Sequence, residues 1–332
     1  MRISTRFLLF CGLSLATLAC AHTPQMKAEY RQFAEEMAQK HGFDAAAVDQ
    51  LLNETTYRDD IIAAITRPAE SKAWHEYRPI FIKQDRIDDG VAFWQDNQAL
   101  LEQISQETGV APEIIVAIIG VETRYGRFTG RHRVIDALTT LAFGYPRRAK
   151  FFRSELEEFL LLTREEQVDP RTATGSYAGA MGKPQFISSS YRAYAVDHDG
   201  DNKRDLWHSN PDIIASVANY FKVHGWQTGQ PVTLKVSGGK HLEAFLAAGV
   251  KPKFSWSDLT AQGVKPLQDV ALDPDTPVSL IKLDAGDADE YWVCLTNFYV
   301  ITRYNTSKLY AMAAYQLSQA IREAKQAAPV AE

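Results

Sequence analysis

The chain has 332 residues, of which 45% are hydrophobic and 23% are charged. This mix is typical of a globular protein with a substantial buried core, and it excludes a chain that is disordered over most of its length. The net charge of −5 gives no indication of a nucleic-acid partner, because binding to phosphates requires clustered Lys and Arg.

The first 21 residues have the pattern of an export signal. Two arginines precede an apolar run over residues 7–18, which is too short to span a bilayer, and residues 19–21 offer a small-residue cleavage site. Cys20 allows a second interpretation, in which it is lipidated and anchors the mature protein to a membrane. Thr17 stands where a lipoprotein signal usually has Leu, so soluble and lipid-anchored forms both remain open.

Cysteine usage limits the chemistry of the folded part. Because Cys11 lies inside the export signal, only Cys294 remains in the globular region, which excludes an intramolecular disulfide and a cysteine-based metal site. Cys294 lies in the apolar run YWVCLTNFYV, so we expect a buried, inert thiol.

The N-terminal part, residues 22–109, has helical periodicity. It comprises MKAEYRQFAEEMAQKHG, DAAAVDQLLN and one longer amphipathic run from Arg86 to Glu107. We interpret it as a helical domain that leads into the next segment.

The segment PEIIVAIIGVETRYG, from Pro112 to Gly126, predicts a helix that is buried on every side, since its isoleucines leave no polar face. Glu122 ends the apolar run. Loss of hydration favours the neutral carboxyl and raises its pKa, which makes Glu122 a candidate proton donor near neutral pH. The alternative is an ion pair of Glu122 with Arg124 or Arg127 where the helix reaches the surface.

Basic residues are concentrated after Glu122. Seven lie between positions 124 and 150, against the single acid Asp136: Arg124, Arg127, Arg131, Arg133, Arg147, Arg148 and Lys150. The excess indicates a negatively charged ligand near Glu122. An ordinary solvated surface with ion pairs is the alternative.

Further helices are predicted over residues 136–143, 147–162 and 211–224. Between them lies the glycine-rich segment GSYAGAMGKPQF, whose small residues allow a ligand or another backbone to approach closely. Ser176 and Gln185 in this segment could bind a sugar, whereas close helix packing explains the small residues equally well.

After Pro231 the composition favours strands: VTLKV, VSLIKL and YWVCLTNFYV alternate with turns and one short helical run, HLEAFLAAG. We predict a small β domain over residues 231–300 and a return to helix at residue 307. Tyr304 and Asn305 stand just before that helix, and Asn305 is by default its N-cap. The predicted fold class is mainly α with a small β insert (α+β).

The loop DHDGDNKRD spaces carboxylates like the first part of an EF-hand, with Asp197, Asp199, Asp201 and Asp205 at positions 1, 3, 5 and 9. Asn202 replaces the usual Gly at position 6, which Asn tolerates, and His208 replaces the usual Glu at position 12. Asp212 completes the shell only if the loop is longer than twelve residues. We expect a structural Ca²⁺ site.

Five segments together carry a resemblance to a known family: VETRYG, GSYAGAMGKPQF, YAVDHDGD, SVANYFKVHGW and FYVITRYNTSKLYAMA. They occur in order within the stretch from Tyr77 to Ala313. The chain resembles the lytic murein transglycosylase B family of bacterial cell-wall enzymes.

The resemblance implies a lysozyme-like core with a helical domain and a small antiparallel β domain. Its implied layout is a signal peptide over 1–21, a helical domain over 22–109, a catalytic core with the EF-hand-like loop over 110–230, a β domain over 231–300 and a C-terminal helix over 301–332 that completes the cleft. It also implies a periplasmic enzyme, or an outer-membrane lipoprotein anchored at Cys20.

The implied reaction cleaves the β-1,4 bond between N-acetylmuramic acid and N-acetylglucosamine and leaves a 1,6-anhydro ring. Most glycosidases need two carboxylates, whereas the motif supplies one, so the substrate's acetamido group would replace the second. No cofactor is expected in catalysis. The expected partner is the glycan strand, and cell-wall synthesis or division proteins remain open as further partners.

The resemblance also assigns roles to residues. Glu122 matches the catalytic acid/base, and Ser176 and Asn305 match positions that hold the acetamido group and sugar. Other matched positions are the cleft residues Tyr77, Gln185, Tyr220, Tyr304 and Tyr310, the peptide-stem residues Arg147 and Arg148, and the calcium ligands Asp197, Asp199, Asp201, Lys203, Asp205 and Asp212.

Two other functions compete with this one. A hydrolytic muramidase would use a second acid, such as Asp136 or Asp169, to activate water. A non-catalytic glycan-binding protein of the cell envelope would not need Glu122 in a buried position.

Overall fold

The computed structural model describes residues 23–67 and 72–327. The export signal and Cys20 lie outside the described residues. The chain divides into two compact units between Tyr57 and Arg58.

The first unit contains two helices that pack on each other, α1 (Pro24–His41) and α2 (Ala45–Asn53). Thr23 caps α1 by accepting a hydrogen bond from the Met26 N–H at 3.2 Å, and Asp44 caps α2 by accepting from Ala46 at 2.8 Å. Gly42 ends α1 in the left-handed conformation, with φ of 68°. These caps fix both boundaries between the helices.

The second unit is mainly helical. Its helices are α3 (Asp59–Ile65), α4 (Trp74–Phe81), α5 (Gln84–Asp96), α6 (Gln98–Thr108), α7 (Pro112–Thr123), α8 (Val134–Gly144), α9 (Ala149–Glu165), α10 (Ser188–Tyr194), α11 (Asn210–Val223), α12 (Glu243–Ala247), α13 (Trp256–Ala261), α14 (Thr296–Tyr304) and α15 (Lys308–Ala327). A 3₁₀ turn over Pro146–Arg148 precedes α9.

Helix α7 occupies the centre of this unit. Every residue from Ile114 to Val121 is buried, as the apolar sequence predicts. The helix contacts α5, α6, α11 and α15. No single helix among the described residues is long and apolar enough to cross a membrane; α6 and α7 pass that test only as a pair bent by 112°.

The strands form two antiparallel sheets. The small sheet pairs β1 (His132–Arg133) with β2 (Thr174–Gly175). The larger sheet has the order β4-β6-β7-β3-β5, with β3 (Thr233–Ser237), β4 (Phe254–Ser255), β5 (Lys265–Pro266), β6 (Pro277–Asp284) and β7 (Asp289–Cys294). One face of the larger sheet packs Leu234, Val236 and Val293 into an apolar core with residues of α13 and the segment before α12. The predicted α+β fold class is confirmed.

Two element predictions are wrong. The run from Arg86 to Glu107 is two helices, because Asn97 breaks it: the Asn97 side chain donates to the Phe93 carbonyl at 2.8 Å, in competition with the helical backbone. The apolar run around Cys294 is a strand only up to that residue, and α14 begins at Thr296 rather than near residue 307. A short apolar run does not distinguish a buried strand from a buried helix.

Candidate active site

Glu122 lies in the last turn of α7, where the chain leaves the core. Arg124, with φ of 51°, and Tyr125, with φ of 58°, adopt the left-handed conformation and end the helix. Glu122 is therefore the last acidic side chain of a buried helix, and it keeps a partial opening to solvent.

Burial raises the pKa of Glu122 to about 7, and a hydrogen bond from Tyr310 opposes the rise. The Tyr310 hydroxyl donates to Glu122 Oε1 at 2.5 Å. No ionised group among the described residues contributes to this pKa shift. Glu122 can therefore hold a proton near neutral pH.

The two arginines that could have neutralised Glu122 pair with acids of α5. Arg124 donates to Asp89 at 3.0 Å and to Asp85 at 2.7 Å, and Arg127 donates to Asp89 at 2.8 Å. The ion-pair alternative for Glu122 is therefore wrong. The same pairs offset part of the basic excess, as does the pair of Arg133 with Asp136.

Four basic side chains of that excess have no ion pair among the described residues: Arg131, Arg147, Arg148 and Lys150. Arg147 and Arg148 lie exposed in the 3₁₀ turn before α9, and the Arg148 guanidinium stacks on Phe151, 4.1 Å from the ring centroid. Both remain available to an anionic group.

Two of the predicted tyrosines, Tyr220 and Tyr304, lie in one aromatic cluster, and a third, Tyr310, lies next to Glu122. Tyr304 and Tyr220 have ring centroids 4.8 Å apart, and both hydroxyls donate to backbone carbonyls, of Pro184 and Arg303 respectively, at 2.5 Å. Burial, followed by the charge of Glu122, holds the pKa of Tyr304 well above its usual range. Phe186 joins the cluster, 5.8 Å from Tyr304, and was not predicted.

Tyr77 reaches the same region from α4. Burial and the charge of Glu122 raise the pKa of Tyr310, and Tyr77 adds a smaller contribution. Helix α4, which carries Tyr77, packs against α15, which carries Tyr310, although the two helices are far apart in sequence.

The glycine-rich segment forms a tight loop. The Ser176 hydroxyl accepts from the N–H groups of Ala178 and Ala180, at 3.3 and 3.0 Å. A Cβ on Gly175 would lie 2.2 Å from the Ala180 carbonyl oxygen, so the small residues serve close backbone approach. The Ser176 O–H hydrogen remains available for a ligand.

Gln185 has φ of 54°, and its amide nitrogen donates to the carbonyls of Thr129 and Gly182, at 3.1 and 2.8 Å. Both donors of the amide group are thus used to hold the loop. The amide oxygen is left as the acceptor that Gln185 can offer to a hydroxyl group.

Thr123 is a structural residue of the site that sequence reasoning missed. Its hydroxyl donates to the Lys183 carbonyl at 2.9 Å and accepts from the Gly126 N–H at 3.1 Å. Thr123 therefore ties the end of α7 to the glycine-rich loop. Its position beside Glu122 in VETRYG was the available signal.

Asn305 is not the N-cap of α15, contrary to the default prediction. Ser307 fills that position, since its hydroxyl accepts from the Tyr310 N–H at 3.3 Å. Asn305 Oδ1 accepts from the Ser307 N–H at 3.1 Å, which leaves its amide nitrogen for other partners. The two donors of that NH₂ group suit a carbonyl oxygen such as an acetamido group offers.

The acidic loop brings three of the expected metal ligands together. Oxygens of Asp197, Asp199 and Asp212 lie within 4.8 Å of one another. Asp212 is fully buried and accepts from the N–H groups of His198 and Asp205, each at 2.8 Å. Asn202 adopts φ of 69°, as an EF-hand requires at position 6.

Two other expected ligands, the carboxylates of Asp201 and Asp205, are not in this cluster. Asp205 Oδ1 instead accepts from the N–H groups of Trp207 and His208, at 2.8 and 3.0 Å, and Asp201 Oδ1 accepts from Lys203 at 2.8 Å. The cluster of three offers carboxylate oxygens only, and this donor set fits a hard cation such as Ca²⁺.

Comparison with known proteins shows the family to which the chain belongs. The model of a transglycosylase SLT domain family matches residues 25–319. Membrane-bound lytic murein transglycosylase B of Escherichia coli (strain K12) is 45% identical over 305 residues, which cover 89% of this chain and 83% of that protein. The chain belongs to the lytic murein transglycosylase B family.

Solved structures of the family superpose closely. Soluble lytic transglycosylase SltB1 from Pseudomonas aeruginosa is 50% identical, with a TM-score of 0.84, covering 90% of this chain and 100% of that one. Escherichia coli Slt35 in complex with calcium is 46% identical, with a TM-score of 0.82, covering 90% and 93%. The lysozyme-like fold implied by the sequence is thereby confirmed.

A more distant relative was solved with a glycan fragment. Pseudomonas aeruginosa SltB3 in complex with NAG-anhNAM-pentapeptide is 30% identical, with a TM-score of 0.79, covering 89% of this chain and 79% of that one. Members of the lytic murein transglycosylase B family are lyases that cleave peptidoglycan, and this protein is such an enzyme. The non-catalytic alternative is therefore wrong.

Proposed function

We propose that this enzyme cleaves the β-1,4 bond between N-acetylmuramic acid and N-acetylglucosamine and closes a 1,6-anhydro ring, with Glu122 as its single acid and base. The observation that carries the proposal is a carboxyl group with a pKa of about 7 and no ionised partner among the described residues. An acid of this kind holds a proton for the first step and takes one back in the second.

In the first step, protonated Glu122 donates its proton to the glycosidic oxygen as the bond from that oxygen to the anomeric carbon breaks. The acetamido oxygen of the same muramic acid attacks the anomeric carbon and replaces the nucleophilic carboxylate of ordinary glycosidases. N-acetylglucosamine leaves, and Glu122 becomes a carboxylate.

In the second step, the Glu122 carboxylate removes the proton of the 6-hydroxyl group. The 6-oxygen attacks the anomeric carbon, and the bond from that carbon to the acetamido oxygen breaks. The 1,6-anhydro ring forms, Glu122 is protonated again, and no water is consumed. The hydrogen bond from Tyr310 stabilises the carboxylate during the interval between the steps.

We assign the positioning of the acetamido group to Ser176 and Asn305. Ser176 offers the hydroxyl proton that its own loop does not use, and Asn305 offers its amide N–H₂ group. We infer that Gln185 accepts from a sugar hydroxyl and that Tyr77, Tyr220, Tyr304 and Tyr310 form the wall of the cleft. Pre-placed groups of this kind supply much of the advantage of an intramolecular attack.

The hydrolytic alternative has less support. Asp136 is held by two hydrogen bonds from Arg133, at 2.8 and 2.7 Å. Asp169 is exposed and accepts from the Arg171 N–H at 2.9 Å. Neither acid contributes to the pKa shift of Glu122, which gives no support to either as the second carboxylate that activation of water requires.

We assign Arg147 and Arg148 to the peptide stem, whose free carboxylates match guanidinium groups. Their lack of ion pairs among the described residues supports this role. The complex of SltB3 with a pentapeptide-bearing fragment supports a stem-carrying substrate.

We further propose that Ca²⁺ binds the acidic loop and stabilises the fold without joining the reaction. The cluster of Asp197, Asp199 and Asp212 supports this site, and the calcium complex of Slt35 agrees with it. The carboxylates of Asp201 and Asp205 would join only after rearrangement of the loop, and we propose the Lys203 carbonyl as a further ligand.

We place the enzyme in the periplasm, as a soluble form or as an outer-membrane lipoprotein anchored at Cys20, acting on peptidoglycan glycan strands. The membrane-bound form named for the Escherichia coli relative supports association with the envelope. We retain the domain layout of a helical domain, a core over 110–230, a β domain over 231–300 and a final helix. The contact of α15 with α7 supports the last assignment.

The Glu122→Gln variant tests the proposal. Loss of the proton donor is expected to slow release of muropeptides from purified peptidoglycan by roughly 10²–10⁴-fold. Glu113→Gln is the matched control, because Glu113 lies in the same helix and pairs with Arg322 away from Tyr310. Cleavage by Glu122→Gln at the rate of the parent enzyme would contradict the proposal.

A further inference from the structure

A second groove lies between the larger sheet and helices α4 and α15. Its cavity has a volume of about 820 Å³, within the range of ~300–1,000 Å³ that is usual for ligand sites. Among the described residues that line it are none of the predicted groups around Glu122. The groove is therefore separate from the candidate active site.

The sheet forms one wall of this groove with its second face. Alternate residues of a strand point to opposite faces, so the strands that bury Leu234 and Val293 present Lys235 and Trp292 on the other side. Lys235 and Trp292 are cross-strand partners. The sheet thus has an apolar face toward its own core and a mixed polar and aromatic face toward the groove.

Trp292 is held in a fixed orientation. Its indole N–H donates to Glu290 Oε2 at 3.1 Å, and the Lys235 ammonium donates to Glu290 Oε1 at 2.6 Å. The indole is half-buried, because it faces the open groove. A fixed, half-exposed indole can stack on the apolar face of a ligand ring. The hydrogen bond to Glu290 meanwhile satisfies the N–H group of the indole.

The opposite wall supplies hydrogen-bonding groups. The Arg78 guanidinium donates to the Gln316 amide oxygen at 2.6 Å, which leaves the Gln316 N–H₂ group for a ligand. Tyr315 lines the groove, and its hydroxyl makes no hydrogen bond with any residue that the structure describes. Donors and acceptors thus face Trp292 across the cavity.

The groove is elongated. An adjoining cavity of about 360 Å³ shares Thr233, Tyr315, Gln319 and Arg322 with the first. Arg322 stands between the two and is held by Glu113 at 3.4 Å. The combined space is suited to an oligomer rather than to a single small molecule.

The charges along the groove largely cancel. Lys235 pairs with Glu290 and Arg322 pairs with Glu113. The two charged lining residues that make no ion pair among the described residues, Arg78 and Glu323, have opposite signs. A strongly anionic ligand such as a peptide stem or a nucleic acid finds little uncompensated positive charge there. An uncharged ligand with hydroxyl and amide groups and apolar ring faces fits the lining.

We propose that this groove is a second, non-catalytic binding site for a β-1,4-linked glycan strand, which it holds through the uncharged N-acetylglucosamine units, with Trp292 as its stacking platform. The choice of this glycan rests on the proposed function, since every second sugar of that substrate is an N-acetylglucosamine. The site would hold one part of a strand, or a neighbouring strand, while another part lies in the cleft.

Calorimetric titration with the β-1,4-linked tetramer of N-acetylglucosamine tests this site. We would use full-length Glu122→Gln protein, which does not consume the sugar, and we expect two sites per chain. Adding Trp292→Ala should remove one site, through at least a tenfold loss of affinity, whereas adding Trp292→Phe keeps an aromatic face and should retain both. If Trp292→Ala lowers the fraction of folded protein, the double variant Gln316→Ala/Gln319→Ala on α15 replaces it.

The outcomes separate the two proposals. If the Glu122→Gln protein binds the tetramer at a single site and Trp292→Ala abolishes that site, the result supports binding in the groove and contradicts binding of the sugar in the cleft. An unchanged number of sites and unchanged affinity in both Trp292→Ala and the glutamine double variant would overturn the groove proposal. In that case the fate of the cleft is decided separately by the loss of cleavage in Glu122→Gln.

Discussion

At the scale of single residues, the protonation of Glu122 sets the pH dependence of the enzyme. Burial raises the pKa of Glu122 to about 7, and the first step requires the protonated form. The fraction of protonated enzyme therefore falls as pH rises through 7. We expect kcat/KM for soluble glycan fragments to decline about tenfold per pH unit well above pH 7. A rate that stays constant up to pH 9 would contradict the assignment.

Tyr310 tunes that same pKa. Its hydrogen bond stabilises the carboxylate, so it lowers the pKa of Glu122. We expect Tyr310→Phe to move the decline of kcat/KM to higher pH and to lower kcat. Tyr304→Phe is the control, because the Tyr304 hydroxyl donates to the Pro184 carbonyl rather than to Glu122. A shift to lower pH in Tyr310→Phe would refute the proposed effect of this hydrogen bond.

The sequence predicts the burial of Glu122 because the cause is local: an apolar helix ends at the acid. The partner of Glu122 could not be found in this way, since Tyr310 lies 188 residues further along the chain. Only the family resemblance predicted Tyr310 as a residue of the site. Thr123 shows the opposite case, a neighbour of Glu122 whose hydrogen bond to Lys183 depends on how a distant loop folds back.

At the scale of elements, the glycine-rich loop depends on close backbone approach. A methyl group at Gly175 would lie 2.2 Å from the Ala180 carbonyl oxygen, so Gly175→Ala must displace the loop that carries Ser176. We expect a loss of ~1–3 kcal/mol of stability and at least tenfold lower activity, measured by thermal unfolding and muropeptide release. Gly238→Ala is the control, because its added methyl group meets no atom closer than 3.4 Å. Equal behaviour of the two variants would contradict this account.

The acidic loop provides an element whose stability depends on a ligand. A cation that binds only the folded chain stabilises it by mass action, so millimolar Ca²⁺ should raise the Tm and EDTA should reverse the gain. Asp199→Asn removes one charge of the cluster and is expected to abolish the gain while peptidoglycan cleavage continues. If neither Ca²⁺ nor EDTA changes the Tm of the parent enzyme, the proposed Ca²⁺ site is contradicted.

The type of each element was predictable where the sequence pattern was long and periodic. The prediction failed where a local polar interaction decides the structure. The buried α7 helix and the strands β3 and β6 follow from composition. The break at Asn97 depends on a hydrogen bond from the Asn97 side chain to the backbone of the preceding helix. The periodicity of apolar residues does not predict such a hydrogen bond. The strand that ends at Cys294 continues as an equally apolar helix, so composition gives no boundary there.

At the scale of the whole molecule, the α+β fold class follows from the sequence, but the assembly of the site does not. The site joins the end of α7, the start of α15 and the loop over residues 175–186, and only long-range packing places them together. The groove beside Trp292 was likewise invisible in the sequence. It depends on which face of a sheet remains open after the other has packed on its core.

The most direct measurement of the central claim is the oxygen content of the product when peptidoglycan is digested in water enriched in oxygen-18. If the 6-hydroxyl closes the ring under the control of Glu122, new muramic acid ends are 1,6-anhydro ends, lighter by one water than reducing ends, and carry no heavy oxygen. Reducing ends labelled with oxygen-18 as the main product would show that water is the acceptor and would contradict the account.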